Sequence, residues 1–287
     1  PFVLSAGFDY NANLMNILPS IGLAGEEVGS VTARPCKGNP APQLTRLPKS
    51  KSILVNKGLK NDGVDAVIER IKKNRKTEAF FVLGVSIART NDPEASKSIQ
   101  AGIDDYVYSF KRLNEEKVGD YYTINISCPN AFGGETFTNP DLLQDLLRAL
   151  KTVECKKPVY VKMPINIPWE QFNKLLEIID QYGLQGVIIG NLNKNYDHLD
   201  VREEAPTEYR GGISGKPTVH LSTELIRKTR ELYGRRFTII GCGGVMSVET
   251  AQEKIDAGAD LIHLITGLIY HGPKIVKKLC KNVKINS

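Results

Sequence analysis

The sequence predicts an α/β fold, a (β/α)8 TIM barrel with an inserted β-hairpin after its second strand. Three observations predict it. The chain has 287 residues, near the roughly 250 that such barrels need. Short apolar runs alternate with longer segments of helical period along its whole length. Counting both kinds gives eight of each.

The strands are expected, in order, at 2–6 (FVLSA), 26–31 (EEVGSV), 79–86 (AFFVLGVS), 121–126 (YYTINI), 157–162 (KPVYVK), 184–190 (LQGVIIG), 237–242 (FTIIGC) and 261–266 (LIHLIT). Amphipathic helices fill the gaps. Behind Asn139 and Pro140, Leu142, Leu143, Leu146, Leu147 and Leu150 share one face. Behind Pro168, Phe172, Leu175, Leu176 and Ile179 recur at i, i+3, i+4 and i+7, the core face of a helix. Two connections, 32–62 and 191–217, are too long for plain βα loops and are expected to carry function. Within the first, extended runs at 43–47 and 52–56 flank Pro48 and read as the hairpin. No repeat or interdomain linker interrupts 1–287, which is expected to form one domain.

Composition narrows the function. The net charge of +6 is scattered, with neither a block of like charges nor aromatic-basic interleaving, so nucleic acid is excluded as a partner. The five cysteines are widely spaced without a CxxC pair, which suits a reducing compartment and argues against a zinc site. His198, His220, His263 and His271 lack ligand spacing, so no metal is expected. No run reaches the ~18 to 20 apolar residues of a membrane span. A cytoplasmic location is expected, with a peripheral position at the inner face of a membrane left open. The oligomeric state is not legible.

Active groups of such barrels collect at the C-terminal ends of strands. There the sequence places Ala6 and Gly7, the segment Asn125, Ile126, Ser127, Cys128, Pro129, Asn130, then Lys162, Gly190 with Asn191, Gly243 with Gly244, and Thr266 with Gly267. The glycine-rich turns, together with Gly211, Gly212, Ile213, Ser214 and Gly215, suit a phosphate, because bare backbone lets amides approach an anion. Pro129 favours an extended conformation for Cys128 and so displays its thiol at the barrel mouth. Lys162, at the end of an apolar strand, demands an anionic or electron-rich partner. Cys36, Cys155, Cys242 and Cys280 have no polar company and read as structural.

AGFD at 6–9, GSVT at 29–32, KGNPAPQLTRLP at 37–48, GGISGKP at 211–217 and IIGCGGV at 239–245 occur in the order and spacing of one family. Over essentially its whole length the chain resembles the FMN-dependent dihydroorotate dehydrogenases, most closely the quinone-linked class 2 branch. The resemblance implies oxidation of dihydroorotate to orotate in pyrimidine biosynthesis. It implies an FMN cofactor held by Ala6, Gly7, Ser30, Ser86, Asn125, Lys162, Gly190, Gly215, Gly243, Gly244, Ile265 and Thr266. Cys128 takes the position of the base that removes a proton from C5, while a hydride leaves C6 for the flavin. A free thiol titrates near about 8.5, so a thiolate held by donors suits a base close to neutral pH. Asn56, Lys57, Gly58, Asn125, Asn130 and Asn191 form the implied substrate set.

Departures accompany the resemblance. Cysteine at 128 is the class 1 habit, where class 2 normally has serine. The lysine that meets flavin and orotate carboxylate is replaced by Tyr10, and the class 1 alternative position holds Gly29. The hairpin asparagine aligns with Val55, beside Asn56, with Lys57 or Lys60 able to supply a displaced charge. Ser86 stands for an asparagine, and Gly190, Asn191, Leu192 for Thr-Asn-Thr. The helices that dock class 2 enzymes to membranes and form the quinone tunnel would precede residue 1. A related FMN oxidoreductase acting on another cyclic amide or enone, or a non-catalytic flavin-binding protein, are the alternatives.

Overall fold

The computed structural model describes residues 2–75, 81–196 and 211–285. Eight parallel strands close into a barrel: β1 (Phe2–Leu4), β2 (Gly25–Val31), β5 (Val82–Ile87), β6 (Tyr121–Asn125), β7 (Val159–Met163), β8 (Gly186–Ile189), β10 (Thr238–Gly241) and β11 (Leu261–Leu264). The ring closes where Phe2, Val3 and Leu4 pair with Ile262, His263 and Leu264. The predicted strands are all present, several shorter than expected. Pairing stops at Leu4, Ile189, Gly241 and Leu264, so Ala6, Gly190 and Cys242 lie in the turns beyond the ladder and Thr266 opens α8. For the third predicted strand, positions 79–80 lie outside the described residues.

Helices α1 (Val64–Asn74), α2 (Pro93–Ser96), α3 (Ile99–Glu115), α4 (Pro140–Leu150), α5 (Trp169–Gln181), α6 (Val219–Tyr233), α7 (Val248–Asp256), α8 (Thr266–His271) and α9 (Lys274–Asn282) join the strands and cover the barrel. The Asn139 side chain caps α4, accepting from the amides of Asp141 and Leu142 at 3.0 and 3.3 Å, which satisfies amides that have no helical partner. Leu143, Leu146, Leu147 and Leu150 then face the barrel, with Leu142 half-buried at the edge. Phe172, Leu175, Leu176 and Ile179 of α5 are all fully buried. No helix among the described residues is long and apolar enough to cross a membrane.

The expected hairpin is β3 (Leu44–Leu47) against β4 (Ser52–Val55). It does not stand alone. The other long connection contributes β9 (Gly212–Gly215), which pairs antiparallel with β4 through Ser52↔Gly215, Ile53↔Ser214, Leu54↔Ile213 and Val55↔Gly212. The segment 212–215, expected as a phosphate-binding turn, is therefore a strand, with Ser214 and Gly215 lining the cavity at the barrel mouth. Leu47, Leu54 and Ile213 bury a small core of their own under this sheet, packed by Tyr196 and Leu221. Tyr270 fastens the sheet to α8 by donating to the Ser52 carbonyl at 2.7 Å.

Close strand packing fixes one glycine. A Cβ at Gly186 would lie 2.0 Å from the Thr238 carbonyl oxygen of the neighbouring strand, an approach that backbone cannot relieve by a rotamer change. Gly186→Ala is expected to lower the urea midpoint by the equivalent of about 2 to 3 kcal/mol, as overpacking does. An unchanged midpoint would mean that β8 and β10 tolerate separation there.

Candidate active site

The barrel mouth encloses a cavity of about 330 Å³ between the strand ends and the β3–β4–β9 sheet. Of the residues predicted for the cofactor, Ala6, Gly7, Ser30, Asn125, Lys162, Gly190, Gly215, Gly243, Gly244, Ile265 and Thr266 line it. Cys128, Lys57, Gly58, Asn130 and Asn191 line it as well. Two predicted residues do not. Ser86 is fully buried behind the wall, its hydroxyl 2.7 Å from that of Ser30, so it acts only through Ser30. Asn56 turns from the cavity, and its Oδ1 accepts from Asn39 at 2.9 Å.

The loop carrying Cys128 is fixed by asparagines. Asn125 ends β6, donates to the Ser30 hydroxyl at 2.8 Å and accepts from the Ser127 amide at 3.1 Å. Asn191 donates to the Ser127 carbonyl at 2.7 Å and to its hydroxyl at 2.6 Å. Asn130 donates to the Val55 carbonyl at 2.7 Å, tying the loop to the hairpin. Asn39 donates to the Asn130 carbonyl at 3.0 Å from the other side. Two amides predicted to grip substrate, Asn125 and Asn191, thus spend polar groups on holding the loop. The buried Oδ1 of Asn130, on a residue that lines the cavity, has no hydrogen-bond partner among the described residues.

Electrostatics corrects one expectation. Burial pushes the Cys128 thiol up to about 11; the Asn130 amide, Lys194 and Lys162 oppose the shift, while Glu135 adds to it. Desolvation penalises the thiolate more than these donors stabilise it. The expected near-neutral thiolate is therefore absent, and the resting group is a thiol. Beside it, burial and then Cys128 raise the Tyr10 phenol to about 12, so this ring is neutral.

The cations differ in their partners. Lys162 is buried, donates to the Ser5 hydroxyl at 3.3 Å and lowers the pKa of Glu27. Burial raises that carboxyl above its usual range, and Lys162 with hydrogen bonds from Thr123 (2.8 Å) and Tyr121 (3.3 Å) offsets only part of the rise. Glu27 is thus a buried acid close enough for Lys162 to oppose that rise, without an ion pair between the two. Sequence reasoning missed it, although an acid in the apolar run of the second strand was the available signal. Lys57 is different. Half-buried on the cavity wall, its ammonium lies 5.4 Å from the centroid of the Tyr10 ring, and no carboxylate among the described residues forms an ion pair with it. Burial and Lys60 both lower its pKa, the signature of a cation lacking an anion.

At the opposite end, Gly215, Gly243, Gly244, Thr218 and Thr266 surround an open cradle. Gly244 has φ of +72°, and a Cβ there would sit 2.3 Å from Val219 Cγ2 and 2.9 Å from the Gly215 carbonyl. Only bare backbone fits, beside the N-terminus of α6, an arrangement suited to a phosphate. Two residues without an expected role, Cys242 and His263, also line the cavity. Burial and Lys162 push the imidazole of His263 down to about 3, so it is neutral. Cys242 Sγ lies 3.8 Å from the Ser5 hydroxyl. His198 lies outside the described residues.

Against known proteins, the family described as dihydroorotate dehydrogenase matches residues 1–286. The dihydroorotate dehydrogenase (quinone) of Trichodesmium erythraeum is 35% identical over 290 residues, covering 99% of this chain and 75% of the relative. That of Christiangramia forsetii is 36% identical over 287 residues, covering 99% and 81%. A crystal structure of DHODH from Eimeria tenella in complex with ferulenol superposes with a TM-score of 0.88 at 26% identity, covering 98% of this chain and 80% of that one.

Proposed function

Because the chain belongs to the dihydroorotate dehydrogenase family, whose members generally bind flavin, we propose that the cavity holds FMN and dihydroorotate together, with Cys128 as the base. The enzyme is an oxidoreductase that converts dihydroorotate to orotate in pyrimidine biosynthesis. One observation carries the assignment of parts: a phosphate-shaped glycine cradle, a thiol, an unpartnered amide acceptor and an unpaired ammonium line one cavity.

The residues fit FMN. The cradle of Gly215, Gly243, Gly244 and Thr266 suits its phosphate, while Ala6, Gly7, Ser30 and Lys162 line the part of the cavity left for the ring. FMN, when bound, accepts the hydride from C6 of dihydroorotate. The chain supplies the proton chemistry. Cys128 Sγ takes the C5 proton, and the loop that carries it is held by Asn125, Asn130 and Asn191. Asn130 Oδ1 accepts from a ring N–H of the substrate, since it has no partner within the described residues. Lys57, above Tyr10, faces the substrate carboxylate. This replaces the lysine that Tyr10 displaces, with a charge brought in from the hairpin. The quinone-linked relatives support a quinone as the final electron acceptor.

Two outcomes follow. Anaerobic flavin reduction by dihydroorotate should speed up with pH, tracking the thiolate, because Cys128 stays protonated until the solution nears about 11. Cys128→Ala keeps its flavin but loses the reaction, and a flat profile between about pH 7 and pH 9 in the parent protein contradicts the assignment. Lys57→Met should raise KM for dihydroorotate about tenfold or more, the worth of a charge-assisted hydrogen bond. With dihydrouracil, which has the ring without the carboxylate, parent and variant should react alike; equal losses on both substrates remove Lys57 from the carboxylate site.

A further inference from the structure

Behind the cradle lies a charge that neither the barrel core nor the proposed proton chemistry uses. Lys254 of α7 is fully buried, and its ammonium donates to the Thr223 hydroxyl at 3.1 Å, to the Val219 carbonyl at 3.4 Å and to the Ser222 hydroxyl. All three acceptors are neutral and belong to the first turns of α6. No carboxylate among the described residues forms an ion pair with Lys254; its neighbour Glu253 is exposed. A buried ammonium that has only neutral partners is costly, and chains retain one chiefly where an anion compensates it.

The geometry shows where that anion belongs. Ser222, which accepts from Lys254, also lies 3.4 Å from the Gly243 carbonyl, so one hydroxyl separates the ammonium from the cradle turn. Val219, whose carbonyl faces Lys254, packs directly behind Gly244 of the cradle, its Cα 3.0 Å from where a Gly244 Cβ would stand. The α6 N-terminus already favours an anion at this point, and Lys254 adds a full charge from the protein side of the same turn. Burial and the absence of screening water make that charge act over a longer range than a surface lysine could.

We propose that Lys254 is the buried counter-charge of the cradle, a positioning residue that makes the site select a phosphate dianion over an uncharged group without touching it. This rests on the reading that the cradle holds the FMN phosphate. Burial lowers the ammonium's pKa to about 8, as expected of a cation whose counter-ion arrives with a ligand.

The test compares FMN with riboflavin, which has the same ring and no phosphate. Flavin is released from the purified holoprotein, and rebinding of each compound is followed by quenching of its fluorescence. Lys254→Met should weaken FMN by about tenfold or more while riboflavin changes by less than about threefold, in line with a charge at a helix N-terminus. Lys254→Arg, if the charge is accommodated, restores part of the FMN preference. Should Lys254→Met fail to fold, Ser222→Ala, which removes the hydroxyl between the ammonium and the cradle, should reduce the FMN-to-riboflavin preference in the same direction. An unchanged preference in whichever folded variant is measured overturns the role of Lys254. Failure of the parent protein to bind either compound instead overturns the cofactor reading on which it rests.

Discussion

The antiparallel pairing of β4 with β9 is the constraint on which the site depends. A βα barrel offers only strand ends and loops at its mouth, and two long loops would ordinarily cost too much order to define a cavity. Here four residue pairs clamp the loops together, and Leu47, Leu54 and Ile213 bury a small core beneath them. From that clamp the rest follows. Gly215 is set at the cradle, Lys57 is carried over Tyr10, and the Val55 carbonyl is presented to Asn130, which in turn fixes the loop of Cys128.

Charge is organised around the same cavity in three ways. Lys162 is buried inside the barrel near Glu27, whose carboxyl burial holds above its usual range. Among the described residues, Lys57 on the cavity wall and Lys254 behind the glycine cradle each lack an acidic partner. One cation on the cavity wall and another buried behind its glycine cradle match the proposed site, with a carboxylate beside Lys57 and a phosphate in the cradle. In the same cavity burial pushes the Cys128 thiol up to about 11, so it is protonated at rest.

Much of this was legible in the sequence because its signals are local. The barrel could be read from alternating periodicity, and the helix faces from i, i+3, i+4 spacing, since neither depends on distant residues. The mouth position of Cys128, Lys162 and the glycines followed from where each strand had to end. What escaped was non-local. That GGISG forms a strand depends on β4, some 160 positions earlier in the chain. The proximity of Lys162 to Glu27, and the withdrawal of Ser86 and Asn56 from the cavity, depend on which face of a strand meets which neighbour. The Cys128 pKa was misjudged for a similar reason: helpful donors are visible in the sequence, whereas the desolvation that outweighs them exists only in the folded cavity.

The most direct test of the central claim, that one cavity joins a flavin to dihydroorotate, is the visible spectrum of the purified protein during anaerobic addition of dihydroorotate. The account predicts a bound flavin band that bleaches on addition and returns when a quinone is supplied. A band that persists unbleached at all pH values, or a protein that cannot be reconstituted with FMN, contradicts it.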